Sequence, residues 1–456
     1  MSPSLALLVC LLFIALLFYT DFRREGKGSI ALWIPVLWVL IIGSRPISFW
    51  LSGVPIGSAD VADGTSADRM AYFALIVAGL IVLRRRRVDW SQVFASNTWV
   101  CIYILYLGIS VLWAGDPFVS SKRWIKDLGH VIMVLVVLTE DDPVAAARAF
   151  LARCAYLLVP LSVLVIKYYP GISRSYDMWT NQPTIVGICT DKNALGMTSF
   201  MCGVSLVWML LELSEDPERS GDRVAGVRYL VLITMTAWLL RTSHSATALS
   251  CTVIGACVLL AMKSEVLRTR IVQTGIYGVG IVLLVGALVV SLDLGSLLVK
   301  GLGRDLTFTG RTAIWKAVLN EDINPIFGEG YYSFWSGERA KRLSEAYFYD
   351  LNEAHNGYIE TYLNNGIIGV LLLIGMIIST VKGGQRDSLD GFGFGALRLA
   401  FVFAVIVYNI TESTFDRLTP VWFVLLLVAI EYPRPWTAAE EAEESPDLAE
   451  LGTAQS

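Results

Sequence analysis

The sequence has few histidines and few charged residues. Only 3 of 456 residues are histidine, and charged residues make up 17% of the chain against 55% for hydrophobic residues. A soluble protein of this length needs more charged residues to cover its surface. The composition therefore excludes a soluble protein and indicates a membrane protein with many transmembrane spans. The net charge of -4 gives no reason to expect a nucleic-acid partner.

Metal-binding and disulfide patterns are also missing. The 7 cysteines form no CxxC pair and no pair with a histidine at metal-ligand spacing, so we interpret them as small core residues. The loops predicted to lie outside the cytoplasm lack the DxD pattern or clustered carboxylates that hold Mg²⁺ near phosphates. We interpret Asp60, Asp63 and Asp68, in a Gly/Ser-rich connection, as solvated. The sequence therefore predicts no metal site and no cofactor.

Apolar runs long enough to cross a bilayer dominate the rest of the chain. They lie near residues 4–20, 29–45, 70–84, 97–114, 128–139, 148–168, 194–212, 226–241, 245–262, 271–292, 366–381, 396–411 and 419–432. The first run has no basic residue before it and no small-residue cleavage site after it, so we expect a retained helix. These runs predict an all-α polytopic membrane protein with about 12–13 transmembrane helices and one large extracytoplasmic loop containing short helices.

Basic clusters on alternate connections predict which side each connection occupies. The run Arg84–Arg87, the cluster Lys263, Arg268 and Arg270, and the pair Lys382 and Arg386 should be cytoplasmic. The same alternation divides the chain into four predicted regions. These are transmembrane helices 1–10 in residues 1–293, a large periplasmic loop at 294–355, C-terminal transmembrane helices at 356–433 and an acidic, disordered cytoplasmic tail at 434–456.

The predicted outside connections nevertheless carry many cations, which the orientation rule does not explain. They include Arg123, Lys192, Arg241, Arg311, Arg339, Lys341 and Arg342. One explanation is an anionic ligand at the outer membrane surface, such as a phosphate or diphosphate head group. The alternative is that these cations pair with outside acids, such as Asp116, Asp127, Asp191 and Glu329.

The large loop contains three segments that point to chemistry. Residues 308–319 predict a short amphipathic helix after Gly310, with Arg311 in its first turn and Leu319 among its apolar residues. Residues 324–335 form a Pro- and Gly-rich turn that ends in aromatic residues. Residues 353–373 place His355 at the start of a helix, on the same face as Tyr358 and Tyr362. An imidazole at the membrane boundary suits a general base, although a lone histidine is more often held by local hydrogen bonds.

These segments resemble a known family. Gly310-Arg311, Asn324-Pro325 with Gly328-Glu329-Gly330, His355-Asn356-Gly357-Tyr358 and Gly366-Ile367-Ile368-Gly369 are similar to the signature region of the O-antigen ligase and polysaccharide polymerase superfamily. Asp191-Lys192-Asn193 and Arg241-Thr242-Ser243 resemble two upstream elements of that family. The resemblance covers about residues 100–430.

The resemblance implies a metal-independent glycosyltransferase, multi-pass in the bacterial inner membrane. Such proteins move a glycan from an undecaprenyl-pyrophosphate donor to a glycan or lipid-linked acceptor at the periplasmic face. Carried onto this chain, it implies that Arg311 and Lys192 contact the diphosphate, with Arg123 and Arg241 as weaker candidates. His355 would activate the acceptor hydroxyl, and Asn356 and Tyr358 would contact substrate.

Several alternatives stay open from the sequence. The residues around Arg311 and His355 resemble those of exopolysaccharide and O-antigen polymerases more than those of lipid A core ligases, which slightly favours a polymerase. A transporter or flippase of an anionic or lipid-linked solute is the main rival, although the two halves show no inverted repeat. A non-catalytic assembly partner is a third possibility, and a chain-length regulator is a candidate partner. Sugar composition, linkage, acceptor and oligomeric state do not follow from the sequence.

Overall fold

The computed structural model describes residues 1–24, 29–52, 64–176, 183–215, 221–291, 307–347, 351–389 and 391–432. The predicted tail at 434–456, the first part of the large loop up to residue 306, and Asp60 and Asp63 lie outside these described residues.

Most of the described residues lie in helices. The helices are α1 (Pro3–Arg24), α2 (Trp33–Ile42), α3 (Ile47–Ser52), α4 (Ser66–Arg85), α5 (Trp90–Ser96), α6 (Thr98–Ser110), α7 (Pro117–Leu138), α8 (Pro143–Tyr168), α9 (Pro170–Ser173), α10 (Lys192–Leu213), α11 (Arg223–Ser243), α12 (Ala246–Lys263), α13 (Glu265–Ser291), α14 (Thr307–Leu319), α15 (Gly337–Tyr347), α16 (Gly357–Arg386), α17 (Phe394–Thr411) and α18 (Pro420–Ala429). Single 3₁₀ turns at Ile30–Leu32 and Val111–Trp113 precede α2 and follow α6. Two short antiparallel strands, β1 (Arg174–Tyr176) and β2 (Pro183–Ile185), pair between α9 and α10.

The predicted fold class is confirmed, because each of the apolar runs falls on a helix. Within the described residues, 8 helices are long and apolar enough to cross a membrane, or 9 if α5 and α6 count as one bent span. The shorter α18 has all of its residues buried at the centre of the bundle. On the periphery, Leu12 and Phe73 expose 61% and 70% of their surface. Apolar side chains facing outward are what a lipid environment requires.

Helix α7 runs from one end of the bundle to the other, so the residues that contact its two ends lie on opposite sides of the bundle. Near its C-terminal end, the Arg86 guanidinium donates to Val136 O at 2.7 Å and forms an ion pair with Glu140. Just before its N-terminal end, Gly115 N donates to Ser333 Oγ at 2.7 Å. The helix has 22 residues and so spans about 33 Å at about 1.5 Å per residue. The basic run Arg84–Arg87 and the large loop therefore lie at opposite ends of the bundle, as the predicted sidedness requires.

A break in helix α16 allows the turn at 324–330 of the large loop to pack against the bundle. Gly366 has φ 63° and ψ -168°, which interrupts the helix. The turn at 324–330 supplies partners to the broken helix, with Gly330 N donating to Asn364 O at 2.8 Å and Ile367 N donating to Pro325 O at 3.0 Å. A Cβ on Gly366 would lie 2.1 Å from Ile326 O, so only glycine fits this approach. The two motifs that contain these glycines thus form one structural unit beneath the site.

Asp68 corrects one prediction from the sequence. It is 3% exposed and accepts hydrogen bonds from Ser48 and Thr65, with Thr65 forming a capping box at the start of α4. A capping carboxylate beside an apolar run is buried because the first turn of a helix needs acceptors for its N–H groups. The prediction that it is solvated is wrong.

Candidate active site

His355 lies immediately before α16, at the end of the large loop. Asn356 is the N-cap of the helix, so His355 precedes the cap and adopts a left-handed backbone with φ 51°. Helical spacing therefore does not apply to His355, and the predicted shared face with Tyr358 and Tyr362 is wrong. A non-glycine residue in this conformation is held there by its surroundings, at about 1–3 kcal/mol of strain.

Asn356 and Tyr358 anchor this turn to α17. The Asn356 amide accepts from Tyr358 N and Ile359 N at 3.0 Å each and donates to Ile410 O at 2.9 Å. Tyr358 donates its hydroxyl to Ile406 O at 3.0 Å. Asn356 is 1% exposed, so its side chain fixes the direction of the His355 backbone. Contact with substrate remains a prediction for both residues.

The Glu353 carboxylate lies next to the His355 imidazole and favours its protonated form. His355 Nδ1 lies 2.7 Å from Glu353 Oε1 and 3.8 Å from Glu412 Oε2. Burial lowers the pKa of His355, but the charge and contact of Glu353 outweigh it and raise the pKa to about 9. Burial also opposes the ionised form of Glu353, yet His355 and Arg417 hold its pKa at about 2. The resting pair is therefore an imidazolium beside a carboxylate, and the imidazole is a stronger base than an ordinary histidine.

Arg311 reaches the same cluster from the large loop. Helix α14 begins at Thr307, so Arg311 lies in its second turn and not in the predicted first turn. Trp315 fastens the helix by donating to Ala354 O at 2.8 Å, whereas Leu319 is 42% exposed and does not belong to the buried face. The Arg311 guanidinium hydrogen-bonds Thr411 O and forms an ion pair with Glu412 at 2.9 Å. Glu412 thus joins the predicted base and the predicted diphosphate ligand.

Arg417 is a second guanidinium in the cluster. Its Nη1 lies 3.0 Å from Glu353 Oε2 and its Nη2 lies 3.2 Å from Glu360 Oε1. Burial opposes the charged form of Arg417, but Tyr332, Glu353 and Glu360 raise its pKa above the ordinary value. Arg311, Arg417 and protonated His355 are therefore balanced by the three carboxylates Glu353, Glu360 and Glu412.

Lys192 and Arg241 lie on elements that reach this cluster. Lys192 is the first residue of α10, and Arg241 is exposed near the end of α11. A Cβ on Gly196 would lie 2.8 Å from Ser245 Cβ, so the start of α10 packs against the turn after α11. The first turn of α12, which follows, reaches the residue whose carbonyl Arg311 contacts, because the hydroxyls of Thr247 and Thr411 are 2.8 Å apart. The structure gives neither cation a direct contact with His355 or Arg311 among its described hydrogen bonds and ion pairs.

Arg123 approaches from the opposite side, through Tyr332. The Arg123 guanidinium donates to Tyr332 O at 3.3 Å and lies 5.3 Å from the centre of its ring. Arg417 lies 5.6 Å from the centre of the same ring. Tyr332 therefore separates Arg123 from the His355 cluster.

Four residues of the cluster were missed from the sequence. Glu353 stands two positions before His355 and Glu360 stands five positions after it, whereas Glu412 and Arg417 belong to the short connection between α17 and α18. The available signal was the stretch Glu412-Ser413-Thr414-Phe415-Asp416-Arg417, which places three charges between two strongly apolar runs. Charges in so short a connection at the membrane boundary indicate a functional or structural role.

The alternative explanation of the outer cations holds for part of the large loop. Arg339 pairs with Glu329 at 2.8 Å, and Lys341 pairs with Glu338 at 2.8 Å. Asp116 and Asp191, by contrast, cap α7 and α10. Arg339 and Lys341 therefore stabilise the loop, whereas Arg311 uses an acid from another element.

Glu353, His355 and Glu412 could in principle bind a metal ion. One ligand atom from each lies within 4.8 Å of the others. Both carboxylates, however, already face a guanidinium, Arg417 in one case and Arg311 in the other. Each carboxylate therefore has a cationic partner among the described residues, and a reaction without a metal ion stays a prediction.

The arrangement as a whole places a titratable imidazole beside two guanidinium groups. An imidazole whose Nδ1 faces a carboxylate has its Nε2 left to exchange a proton with a substrate. Guanidinium groups bind phosphate oxygens in a two-pronged geometry. Such a site suits transfer of a group that departs from a phosphate.

Two comparisons identify known proteins to which this chain is similar. A family profile described as O-antigen ligase matches residues 229–374, which include Arg241, Arg311 and His355. The chain is also 27% identical over 360 residues to the exopolysaccharide production protein ExoQ of Rhizobium meliloti (strain 1021), covering 74% of this chain and 78% of that protein. These matches confirm the resemblance to the O-antigen ligase and polymerase superfamily and indicate a membrane enzyme of that kind.

Proposed function

We propose, from this superfamily similarity, that the protein is a polysaccharide polymerase that transfers a glycan from an undecaprenyl-pyrophosphate donor to an acceptor sugar hydroxyl. The reaction takes place at the periplasmic face of a bacterial inner membrane. The single observation that supports the proposal is the joining of His355 and Arg311 through Glu412, because a titratable imidazole and a guanidinium in one site suit a base and a phosphate ligand. The similarity to an exopolysaccharide production protein favours polymerase over lipid A core ligase.

Arg311 holds the leaving group in this proposal. The donor diphosphate takes the guanidinium that Glu412 now occupies at 2.9 Å. When the bond between the anomeric carbon and the diphosphate oxygen breaks, its electron pair stays on the diphosphate. Positive charge fixed in advance beside that oxygen stabilises the transition state more than the ground state. Lys192 and Arg241 extend the same binding surface toward the rest of the diphosphate.

His355 activates the acceptor in the same step. Its Nε2 takes the proton of the acceptor hydroxyl while the hydroxyl oxygen bonds to the anomeric carbon. Glu353 orients the ring and stabilises the imidazolium that forms. At pH 7.5, a pKa of about 9 leaves only about 3% of His355 neutral, so the rate should rise with pH.

The step needs no metal ion in this account. Diphosphate is a good leaving group, and the two guanidinium groups supply the charge that assists its departure. A transporter is a weaker explanation, because the charged residues of the cluster collect at one end of the bundle and do not line a path through it.

The experiment is a transfer assay with purified protein in liposomes and a lipid-diphosphate-linked glycan. The wild type should produce a longer lipid-linked glycan together with one free lipid diphosphate per transfer. His355→Ala should produce neither, because the carboxylates that remain in the cluster are held in ion pairs with Arg311 and Arg417 and the proposed base is gone. Lys341→Ala, in the same loop but in an exposed pair with Glu338, is the matched control and should retain activity. Normal product from His355→Ala would contradict the assignment of the base.

A further inference from the structure

Glu360 lies in the first turn of α16 and accepts hydrogen bonds from several parts of the site. Its Oε2 accepts from Ala354 N at 2.9 Å. Its Oε1 accepts from Trp335 Nε1 at 2.8 Å, from Arg417 Nη2 at 3.2 Å and from Asn364 Nδ2 at 3.2 Å. The residue is 7% exposed, so its carboxylate faces these donors and little solvent. Such a carboxylate is placed to hold other groups and not to contact a substrate.

Two of these contacts lead to His355. Arg417, which Glu360 contacts through Nη2, pairs through Nη1 with Glu353 Oε2 at 3.0 Å. The other oxygen of Glu353, Oε1, lies 2.7 Å from His355 Nδ1. Ala354, whose N–H donates to Glu360, joins Glu353 to His355 in the chain. Glu360 is thus connected to the partner of the imidazole by a side-chain route and by a backbone route.

Glu353 needs support from another element, because its own segment has no regular structure. Residues 351–354 lie outside helices and strands, and His355 adopts a strained left-handed backbone with φ 51°. Glu360 belongs to a helix and is buried, so its carboxylate has a fixed position. A functional group on a loop keeps a precise contact only when neighbouring groups hold it.

We propose that Glu360 is a positioning residue, which holds Arg417 and the backbone of Ala354 so that Glu353 stays beside Nδ1 of His355. The effect of Glu360 on the rate rests on the proposed function, in which His355 is the base. Glu360 itself contacts no substrate and takes no proton in the reaction. Its influence passes through Glu353, whereas a residue that only stabilised the fold would act independently of Glu353.

The variant Glu360→Gln removes this support while keeping the size of the side chain. Its amide has one oxygen and one NH₂ group, so at least one donor from Ala354, Trp335 or Arg417 would face another donor. We expect Glu353 to lose its position beside Nδ1. At pH 9, kcat should fall about tenfold, toward the value of Glu353→Gln, and the KM of donor and acceptor should change less than about twofold. A raised KM with unchanged kcat would assign Glu360 to substrate binding and overturn the inference.

A double-mutant cycle separates positioning from general stabilisation of the fold. Adding Glu360→Gln to Glu353→Gln should lower kcat by less than about a further twofold, because both changes remove the same contact. Losses that multiply in the double variant would overturn the inference. Asp68→Asn is the matched control, because Asp68 is a buried carboxylate in the first turn of α4 with 3% exposure. It should lower the melting temperature and leave kcat unchanged, and an equal loss of kcat would assign both losses to reduced stability.

NMR of protein labelled at histidine tests the contact without turnover. The chain has 3 histidines, and His355→Ala identifies the signals of His355. At pH 7, these ring signals should move in Glu360→Gln in the same direction as in Glu353→Gln, and Asp68→Asn should leave them in place. Unmoved signals in Glu360→Gln would overturn the inference. A wild type that forms no product would instead contradict the proposed function alone.

A second variant keeps the test decisive if Glu360→Gln does not fold. Arg417→Lys keeps the positive charge and leaves Glu360 in place, but one ammonium group lacks the planar, two-sided geometry that contacts both carboxylates. Its His355 ring signals should move in the same direction as in Glu353→Gln. Unmoved signals in folded Arg417→Lys would overturn the inference.

Discussion

The pairing of Glu353 with His355 makes a direct prediction about the pH dependence of the reaction. The pKa of His355 is about 9, against an ordinary value of 6.5, and this difference corresponds to about 3 kcal/mol in favour of the imidazolium. The variant Glu353→Gln removes the negative charge that raises the pKa of His355. Burial, which lowers this pKa, is then the largest remaining influence on it. The pKa should then fall to 6.5 or below.

The activities of wild type and Glu353→Gln should therefore cross as the pH changes. In the wild type, kcat/KM should rise about tenfold per pH unit and level off near pH 9, because only neutral imidazole accepts a proton. In the variant the plateau should be reached by about pH 6.5, at a lower level because a weaker base is less effective. The variant should be the faster enzyme at pH 6 and the slower one at pH 9.

Two measurements check this prediction. The first is kcat/KM between pH 5.5 and 10, with Glu329→Gln as the control, because Glu329 pairs with Arg339 in the same loop. The second is NMR titration of protein labelled at histidine, where only 3 signals are expected and His355→Ala identifies the relevant one. Superimposable pH profiles for wild type and Glu353→Gln would refute the reasoning, and so would an activity that falls above pH 9.

Three further predictions concern the diphosphate ligand, the helix break and the metal. Arg311→Lys should lose nearly as much activity as Arg311→Ala, because an ammonium group cannot make the two-pronged contact. Arg339→Lys is the matched control, because the Arg339 side chain is 22% exposed and the Arg311 side chain is 23% exposed. Equal activity of the two Lys variants would show that Arg311 contributes only its positive charge. Gly366→Ala should lower the free energy of unfolding by about 3 kcal/mol or more, because a Cβ there meets Ile326 O at 2.1 Å; an unchanged melting curve would contradict this. EDTA should leave the rate of the purified enzyme unchanged, whereas activity restored only by an added divalent ion would show that the guanidinium groups are not sufficient.

The transmembrane architecture was largely predictable because it depends on local composition. An apolar run in lipid must form a helix to satisfy its own backbone, so each run could be assigned without its neighbours. The bend between α5 and α6 was not predicted. At the bend the buried Asn97 side chain donates to the backbone of Glu431, a contact across 334 residues that the local sequence does not indicate.

The candidate site could be located from the sequence where its residues belong to compact motifs. Those motifs indicated His355 and Arg311, which the structure joins through Glu412, and the roles of both residues stay predictions. Glu412 itself was missed because its contact with Arg311 crosses 101 residues, and nothing in its local sequence specifies that partner. Arg417 was missed for the same reason. The sequence predicted that this helix begins after Gly310, which placed Arg311 in its first turn. The helix begins at Thr307, so Arg311 lies in the second turn.

The central claim requires that the His355 site opens to the compartment outside the cytoplasm. The most direct measurement is labelling of Lys341→Cys, on the exposed surface of α15, with a membrane-impermeant thiol reagent in intact spheroplasts. We expect rapid labelling of this cysteine, and labelling of Arg85→Cys only after the membrane is permeabilised. Labelling of Arg85→Cys in intact spheroplasts, with Lys341→Cys protected, would place the cluster in the cytoplasm and contradict the account.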